Sequence, residues 1–445
     1  MTPETLPEVL GKSADVLEGG SDPRFSAADD RAVGLLRRLG YLLDDDVSGD
    51  ADGARQHRIR MLRAGAMMKS LFLVPMPLAP RLFLMGGMAH PDVFGEGFAE
   101  SLGASVSGTG ATLRQAFESC VGEGVELLSQ FEQPGDIVAA SHAVRVVDPF
   151  PSASVNSQGF DRMRTVEGVH LLSGQSVHIP ADRCLRPRQG EDRTHAPFAL
   201  STGCGAGRSL EAATLHGLLE LIERDALALW WRGGRAAAQI DFARPEFADV
   251  RASMTQARDG EQGRWSWALD ITTDVGVPCV VAISVDESGR KLACGSSARL
   301  SRAEALASAF REMCQMEISY DMVEAKLQQF GPGALNAIDR RHLARATGIN
   351  VNCHPLLLGT GPGSGETSSD FPSVAAEDRL TTLVRRLEEK GIEVFRVNLT
   401  RKALAIHVAR VIAPDLQLDP CAFVSERLKR QREMTGVDEP QFPLT

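Results

Sequence analysis

The sequence lacks the features of membrane-spanning, secreted and metal-ribbon proteins. Its longest apolar run, residues 71–89, contains three prolines and Arg81, so it does not form a membrane span. The first eight residues carry acids and no basic segment, so they give no sign of a secretory signal. The eight cysteines are scattered without a CxxC pair. This spacing argues against a zinc ribbon or a disulfide framework and predicts a cytoplasmic protein.

An excess of basic charge is also absent. The 445 residues include 48 Lys and Arg against 58 Asp and Glu, a formal net charge of −10. Because nucleic-acid-binding proteins present a basic face, we expect no nucleic-acid partner. Apolar residues make up 43% of the chain and charged residues 24%, which is typical of a globular protein and excludes a disordered or fibrous one.

The common nucleotide-binding and hydrolase motifs are missing as well. Gly11-Lys12-Ser13 resembles the end of a P-loop, but the first glycine of that motif would stand at Leu6. There is no HExxH segment and no GxSxG segment. The glycine-rich segment 203–207 has no acidic residue at the distance expected of a dinucleotide-binding motif. The standard nucleotide-binding folds are therefore not indicated.

What the sequence does contain is one pattern that occurs three times. Glycine-containing turns are predicted to begin at residues 108, 203 and 295, and each leads to a helix. The predicted N-caps are Thr112, Ser209 and Ser301, and Gln115 and Glu304 would complete capping boxes in the first and third units. Three comparable units predict an α+β architecture in which long helices converge on a common site.

The remaining patterns predict a small number of further elements. Apolar residues at helical spacing predict a helix over residues 31–43. Runs of β-branched and apolar residues predict strands over residues 137–147, 266–274, 277–285 and 392–397. Segments 44–53 and 359–369 have the composition of loops.

Polar side chains three residues apart recur in each of the three predicted helices. They are Glu123 and Glu126, with Ser119 on the same face, in the first helix, Glu220 and Glu223, followed by Arg224, in the second, and Glu312 and Gln315 in the third. The second helix is apolar nearly all round, which indicates that its acids are buried, and a buried carboxylate needs a neutralising partner. Ion pairs, magnesium shared with a nucleotide phosphate, or another metal would each supply one, and ordinary solvated glutamates are a fourth interpretation.

The segment 201–226, Ser-Thr-Gly-Cys-Gly-Ala-Gly-Arg-Ser-Leu-Glu-Ala-Ala-Thr-Leu-His-Gly-Leu-Leu-Glu-Leu-Ile-Glu-Arg-Asp-Ala, resembles the central motif of the YcaO family. This is a family of ATP-dependent enzymes that activate peptide backbone amides. Segments 108–126, 270–278, 305–315 and 398–414 resemble further family segments in the expected order. The resemblance implies a YcaO-type α+β fold with mixed sheets and long helices around a Mg–ATP site. It divides the chain into an N-terminal extension, 1–94, and a YcaO domain, 95–445, with a proline-containing tail.

The resemblance also implies the site residues and the cofactors, ATP and Mg²⁺. Nucleotide-site positions fall on Ser119, Glu123, Glu126, Arg208, Glu220, Glu223, Arg224, Glu312 and Gln315, and the metal ligands among them are Glu123, Glu220, Glu223 and Glu312. The carboxylate of the last residue, Thr445, is a candidate base. Four positions depart from the family pattern: Thr109, Arg208, Ala212 and Asn398. Arg208 is a candidate replacement for the charge of the lysine that the family has at Thr109.

The implied reaction is azoline formation in a ribosomally made precursor peptide, as in thiazole/oxazole-modified microcins and other bacteriocins. A cyclodehydratase of this kind converts Cys, Ser or Thr to thiazoline or oxazoline after phosphorylation of the backbone amide oxygen. Thioamide formation with an accessory protein and a non-catalytic nucleotide-binding scaffold are the alternatives. The expected partners are the precursor peptide, a separate E1-like protein that binds its leader, and an FMN-dependent azoline dehydrogenase. The fused leader-binding module of some relatives would not fit into residues 1–94. A homodimer and a cytoplasmic location are further expectations.

Overall fold

The computed structural model describes residues 5–19, 30–42, 51–141, 143–148, 163–187, 200–260, 263–361, 371–372, 375 and 378–437. Within these ranges there are eleven α-helices and thirteen β-strands, which confirms the predicted α+β class. The helices α1 to α11, in chain order, are Leu6–Glu18, Asp30–Arg38, Ala51–Ala66, Leu113–Ser129, Leu210–Trp231, Ala248–Arg258, Arg302–Phe330, Ala337–Gly348, Pro355–Leu358, Arg379–Glu388 and Glu426–Thr435. None of the helices in these ranges is long and apolar enough to cross a membrane.

The strands form three antiparallel sheets. Strands β1 to β13, in chain order, are Ser70–Val74, Phe83–Ala89, Ala104–Gly110, Val138–Ala139, Arg164–His170, Ser176–Pro180, Cys204–Gly207, Ala238–Gln239, Trp265–Asp270, Cys279–Val285, Ala293–Ala298, Phe395–Asn398 and His407–Ile412. The strand orders are β1-β2-β3, then β11-β10-β9-β8, then β4-β5-β12-β13-β7 with β6 paired to β5. Each sheet contains one strand that leads directly into a long helix: β3 precedes α4, β7 precedes α5 and β11 precedes α7.

The glycine segments predicted as turns are strands instead, and close packing against the helix explains their composition. A Cβ atom at Gly108 would lie 2.2 Å from the backbone nitrogen of Cys120, and one at Gly295 would lie 2.2 Å from the carbonyl oxygen of Ala309. The same contact at Gly205 would measure 2.4 Å to the carbonyl oxygen of Ala213. Each strand therefore runs so close to its own helix that a side chain does not fit between them.

All three predicted N-cap positions are correct, and two of the three side chains make a capping hydrogen bond. Thr112 accepts a hydrogen bond from the backbone N–H of Gln115, and Ser209 accepts one from the N–H three residues on, both at 3.2 Å. The Gln115 side chain accepts from the residue before the cap rather than from the cap itself. Ser301 makes no side-chain capping bond, so the box predicted for Ser301 and Glu304 is wrong.

The other predicted elements exist but are shorter. The strands predicted over 137–147, 266–274, 277–285 and 392–397 correspond to β4, β9, β10 and β12, and the helix predicted over 31–43 ends at Arg38. β9 ends early because the chain turns back into β10, where the N–H of Gly276 donates to the carbonyl of Thr273 at a φ of +70°. Part of segment 44–53 is helical, because α3 begins at Ala51. Residues 43–50 and 362–369 lie outside the described ranges.

The N-terminal helices belong to the same hydrophobic cluster as α4. Leu10 of α1, Leu62 of α3 and Phe117 of α4 are all buried in it. Strand β2, which precedes residue 94 and pairs with β1, also pairs with β3, which follows that residue. The division into 1–94 and 95–445 stays a prediction, and one sheet and one core cross that point of the chain.

Candidate nucleotide and metal site

The first member of each pair of polar residues spaced three apart is a glutamate, and it accepts a hydrogen bond from the strand of its own unit. In all three cases the donor is a backbone N–H of the strand or of the residue next to it, and one carboxylate oxygen accepts it. The pairs are Ser107 with Glu123 at 2.8 Å, Gly203 with Glu220 at 2.9 Å, and Ser296 with Glu312 at 3.0 Å. Each of the three helices is thus joined to its own strand by a hydrogen bond from a backbone N–H to a glutamate carboxylate.

The residue three positions later contacts the strand of the next unit. Glu126 accepts from the N–H of Ala206 at 2.7 Å, which joins the first unit to the second. Glu223 accepts from the hydroxyl of Ser296 at 2.7 Å and from the N–H of Ala298 at 3.2 Å, which joins the second unit to the third.

Gln315 joins the third unit back to the first. It accepts from the Thr109 hydroxyl at 2.6 Å and donates to the Ser107 hydroxyl at 2.8 Å. The contacts therefore close a ring of three units, with one seam between each helix and the next strand. We call Glu123, Glu126, Glu220, Glu223, Glu312 and Gln315 the six-residue ring. Two seams join two carboxylates, Glu126 with Glu220 and Glu223 with Glu312, whereas the third seam has Gln315 beside Glu123.

A cavity of about 450 Å³ opens at the two acidic seams, within the usual size range of small-molecule sites. Four ring carboxylates line it, together with three arginines, Arg224, Arg299 and Arg379. The cavity thus combines a dense group of carboxylates with several cations.

Burial and mutual repulsion weaken the acidity of the ring. Burial, together with the nearby charge of Glu220, raises the pKa of Glu126 to about 8. Burial and Glu223 raise the pKa of Glu312 to about 7. Burial also raises the pKa of Glu220, and burial together with the charge of Glu220 raises that of Glu123. Carboxylates crowded in this way favour a cation between them.

Arg224 supplies part of that positive charge. Burial opposes its ionisation, but Glu223 and Glu220 raise its pKa, and its Nη2 atom lies 3.6 Å from Oε1 of Glu220. The Nε atom of Arg224 is buried and has no hydrogen-bond partner among the described residues. A buried donor without a partner is costly, and an anion in the cavity would satisfy it.

These residues fit Mg²⁺ bound together with a nucleotide. In the described part of the chain, no three acidic, histidine or cysteine side chains are grouped so that they alone could hold a metal ion. Magnesium in nucleotide sites is held by one or two carboxylates and by phosphate oxygens, so it needs no complete protein cage. Each of Glu126, Glu220 and Glu312 has one oxygen hydrogen-bonded to a backbone N–H, which leaves the other for a metal.

The structure brings most of the predicted site residues together. Glu126, Glu220, Glu223, Arg224 and Glu312 line the cavity, and Glu123 and Gln315 form the third seam of the ring.

Two other predicted residues lie away from the cavity, and a third is outside the described residues. Ser119 and Arg208 are exposed and are not among the residues lining the cavity. Arg208 lies close to α3, where burial and the Arg208 charge lower the pKa of His57 to about 4. Thr445 lies outside the described residues.

Two arginines of the cavity were not predicted from the sequence. Arg299 donates to the carbonyl of Ala298 at 2.7 Å and to the hydroxyl of Ser308 at 2.9 Å, and Arg379 is the exposed first residue of α10. Arg299 follows β11 directly, as Arg208 follows β7, so the repeated pattern contained a signal for it. No comparable signal marks Arg379.

The fold and the cavity suit a protein that binds a metal–nucleotide complex, with the candidate site between the three strand–helix units. The model of the family YcaO, described as a cyclodehydratase that binds ATP and Mg²⁺, matches residues 107–417. The chain belongs to this family, it is an ATP-dependent enzyme, and its cofactors are ATP and Mg²⁺.

Two uncharacterised proteins are similar in sequence. One, from Methanothermobacter thermautotrophicus, is 25% identical over 70% of this chain and 81% of its own length. The other, from the tfuA 3′ region of Rhizobium leguminosarum, is 26% identical over 57% of this chain and 60% of its own length.

Solved structures share the fold. A heterocyclase in complex with substrate and cofactor has a TM-score of 0.68 and 22% identity over 88% of this chain and 55% of its own. The YcaO protein of Methanopyrus kandleri bound with AMPPCP and Mg²⁺ has a TM-score of 0.58 and 20% identity over 87% of this chain and 94% of its own. The E. coli microcin synthetase McbBCD complex contains a chain with a TM-score of 0.54 and 16% identity over 78% of this chain and 88% of its own. The chain spans about half the length of the first of these proteins.

Proposed function

We propose that this protein is a cyclodehydratase that forms thiazoline or oxazoline rings in a ribosomally made precursor peptide. The observation that carries the proposal is the cavity, in which four ring carboxylates lie together with Arg224. The buried Nε atom of Arg224 has no hydrogen-bond partner among the described residues. This donor set suits a magnesium–triphosphate group, which is the chemical form in which ATP activates an amide.

The reaction needs ATP because the oxygen of an amide is a poor leaving group. The thiol or hydroxyl of Cys, Ser or Thr attacks the carbonyl carbon of the preceding residue and loses its proton. The carbonyl oxygen then accepts the γ-phosphoryl group and leaves as phosphate, while the amide nitrogen loses its proton and forms the C=N bond of the ring. The peptide loses one water in total, and ATP becomes ADP.

The residues of the chain divide into two groups for this chemistry. One or two of Glu126, Glu220 and Glu312 would hold Mg²⁺ through their second oxygens, together with phosphate oxygens and with Glu223 nearby, and the ion would neutralise charge on the phosphoryl group. Arg224 would donate its unpaired Nε–H to a phosphate oxygen.

The partners remain part of the proposal. A structural neighbour is described as bound to substrate, and the E. coli microcin synthetase complex is known with pro-MccB17 bound, which supports a peptide substrate and partner proteins. We propose a separate leader-peptide-binding protein and, for azole products, an FMN-dependent dehydrogenase. A homodimer and a basic role for the Thr445 carboxylate also stay predictions.

Mass spectrometry of a precursor peptide encoded beside the gene tests the reaction. The peptide is incubated with this protein, the partner encoded next to it and Mg–ATP. Loss of one water for each modified residue is the expected result, and Glu220→Gln should abolish it, whereas Glu304→Gln, at an exposed position of the same cavity, should not. Exchange of oxygen for sulfur would instead identify thioamide formation. An unchanged peptide with intact ATP binding would identify a non-catalytic scaffold.

A further inference from the structure

One face of the sheet β1-β2-β3 is covered only in part. The antiparallel register arranges this face in three rows, which are Val74–Leu84–Thr109, Phe72–Gly86–Ser107 and Ser70–Met88–Ser105. Leu84 of the first row is buried in a cluster with Phe310 of α7. The other two rows, which we call the open rows, are largely uncovered, since the side chain of Phe72 is 51% exposed and that of Met88 is 37% exposed.

The outer strand of this sheet presents a free edge. β1 pairs only with β2, and no backbone hydrogen bond to its outer side occurs among the described residues. Phe72 is exposed on one face of the strand and Leu73, at 44%, on the other. An apolar edge strand with unpaired backbone groups is a template for an extended peptide that adds as a further strand.

The open rows lead to the one seam of the six-residue ring that is not purely acidic. Ser107, at the inner end of the second row, accepts from Gln315 through its hydroxyl and donates to Glu123 through its N–H. The two acidic seams face the cavity in which cations and phosphates are expected. A peptide amide carries no net charge, so the seam with Gln315 is the one that it can approach without displacing a cation.

We infer that an extended segment of the peptide substrate pairs with the free edge of β1, and that the adjoining residues cross the open rows to the seam formed by Gln315 and Ser107. This inference rests on the proposed function and adds to it the docking surface of the substrate. The distance across the sheet from β1 to β3 is two strand spacings, about 10 Å, which about three extended residues can span. The docked segment is thus separated from the activated amide by about three residues.

A direct binding experiment tests the strand pairing. The probe is a short fluorescein-labelled peptide of alternating valine and threonine around one cysteine, added to the full chain with Mg–AMPPCP and followed by fluorescence anisotropy. We expect saturable binding, and no binding of the same peptide with alternate backbone nitrogens methylated, because it cannot donate to a strand edge. Phe72→Lys and Leu73→Lys should each weaken binding about tenfold or more, since each removes the burial of one apolar side chain.

Phe330→Lys is the matched control, because Phe330 is 66% exposed at the end of α7 and lies in neither β1 nor the open rows. Absence of saturable binding to the unmodified protein, equal binding of the methylated peptide, or equal loss in Phe330→Lys would each overturn the inference. Calorimetric binding of Mg–AMPPCP and the melting temperature are measured for every variant. A protein that binds Mg–AMPPCP but not the peptide contradicts only the docking surface, whereas failure to bind Mg–AMPPCP contradicts the proposed function itself.

Discussion

Binding of the metal–nucleotide complex should release protons from the six-residue ring near neutral pH. The pKa of Glu126 is raised to about 8 and that of Glu312 to about 7. At pH 7 both carboxyls are then largely or partly protonated, so on the order of one proton or more must leave when they face a cation. At pH 9 both groups are already mostly ionised, and the release should be much smaller. Because the raised pKa favours the protonated form, nucleotide affinity should increase from pH 6 to about pH 9.

Isothermal titration calorimetry in buffers of different ionisation enthalpy measures this release. The titrant is AMPPCP with Mg²⁺ in excess, so that the nucleotide has lost its own proton before it meets the protein. The slope of the observed enthalpy against the ionisation enthalpy of the buffer gives the number of protons. Glu126→Gln should lower the release at pH 7 by about one proton, because the carboxyl with the most strongly raised pKa no longer titrates. Glu304→Gln, at an exposed position of the cavity, is the matched control and should leave the number unchanged. An enthalpy of binding that does not depend on the buffer at pH 7 would refute the reasoning.

The remaining predictions concern stability and phosphate contacts. The raised pKa values mean that the folded, metal-free chain binds more protons than the unfolded chain between about pH 5 and pH 8, so its free energy of unfolding should fall with rising pH over that range. Thermal denaturation with and without Mg–AMPPCP measures this fall, and constant metal-free stability would contradict it. Arg379→Gln should weaken nucleotide binding about tenfold, through loss of a charge-assisted contact, whereas Arg208→Asn, outside the cavity, should leave it unchanged. Gly205→Ala should cost about 3 kcal/mol or more by forcing β7 away from α5, while Gly122→Ala, with open space at its Cβ, should stabilise α4 by up to about 1 kcal/mol, both measured by chemical denaturation.

The local part of the site could be predicted from the sequence because helical spacing determines it. Residues three apart on a helix share a face, which identified the acids of all three helices before any fold was known. The glycine segments form strands and not the predicted turns, because glycine is typical of close packing as well as of turns. The close contact of Gly295 with α7, which leaves no room for a side chain, is visible only in the folded structure, and it explains why a glycine stands within this strand.

The seams could not be predicted because they join residues that are distant in the chain. Gln315 and Ser107 are 208 residues apart, and no local pattern links them. The two arginines that follow β7 and β11 illustrate the same limit. Arg208 and Arg299 occupy the same local position in their units, and only packing directs Arg299 to the cavity and Arg208 toward His57.

The ring carboxylates accept hydrogen bonds and, in the proposed function, also hold the metal, and Glu220 allows the two roles to be tested apart. One oxygen of Glu220 accepts from the N–H of Gly203 at 2.9 Å, so a variant that keeps an oxygen at this position should keep the contact. In the third seam, the amide oxygen of Gln315 already accepts a hydrogen bond from a strand residue, the Thr109 hydroxyl, without carrying a charge.

Glu220→Gln should therefore melt at the temperature of the unmodified chain or higher without metal, because it removes a buried charge, yet it should gain no stability from Mg–AMPPCP. Glu220→Ala leaves the N–H of Gly203 without an acceptor and should lose about 1–3 kcal/mol in addition. If Gln and Ala lower the metal-free stability equally, the charge of Glu220 rather than its hydrogen bond holds α5 to its strand. The carboxylate would then be a structural ion, and the assignment of the ring to a metal would lose its main support.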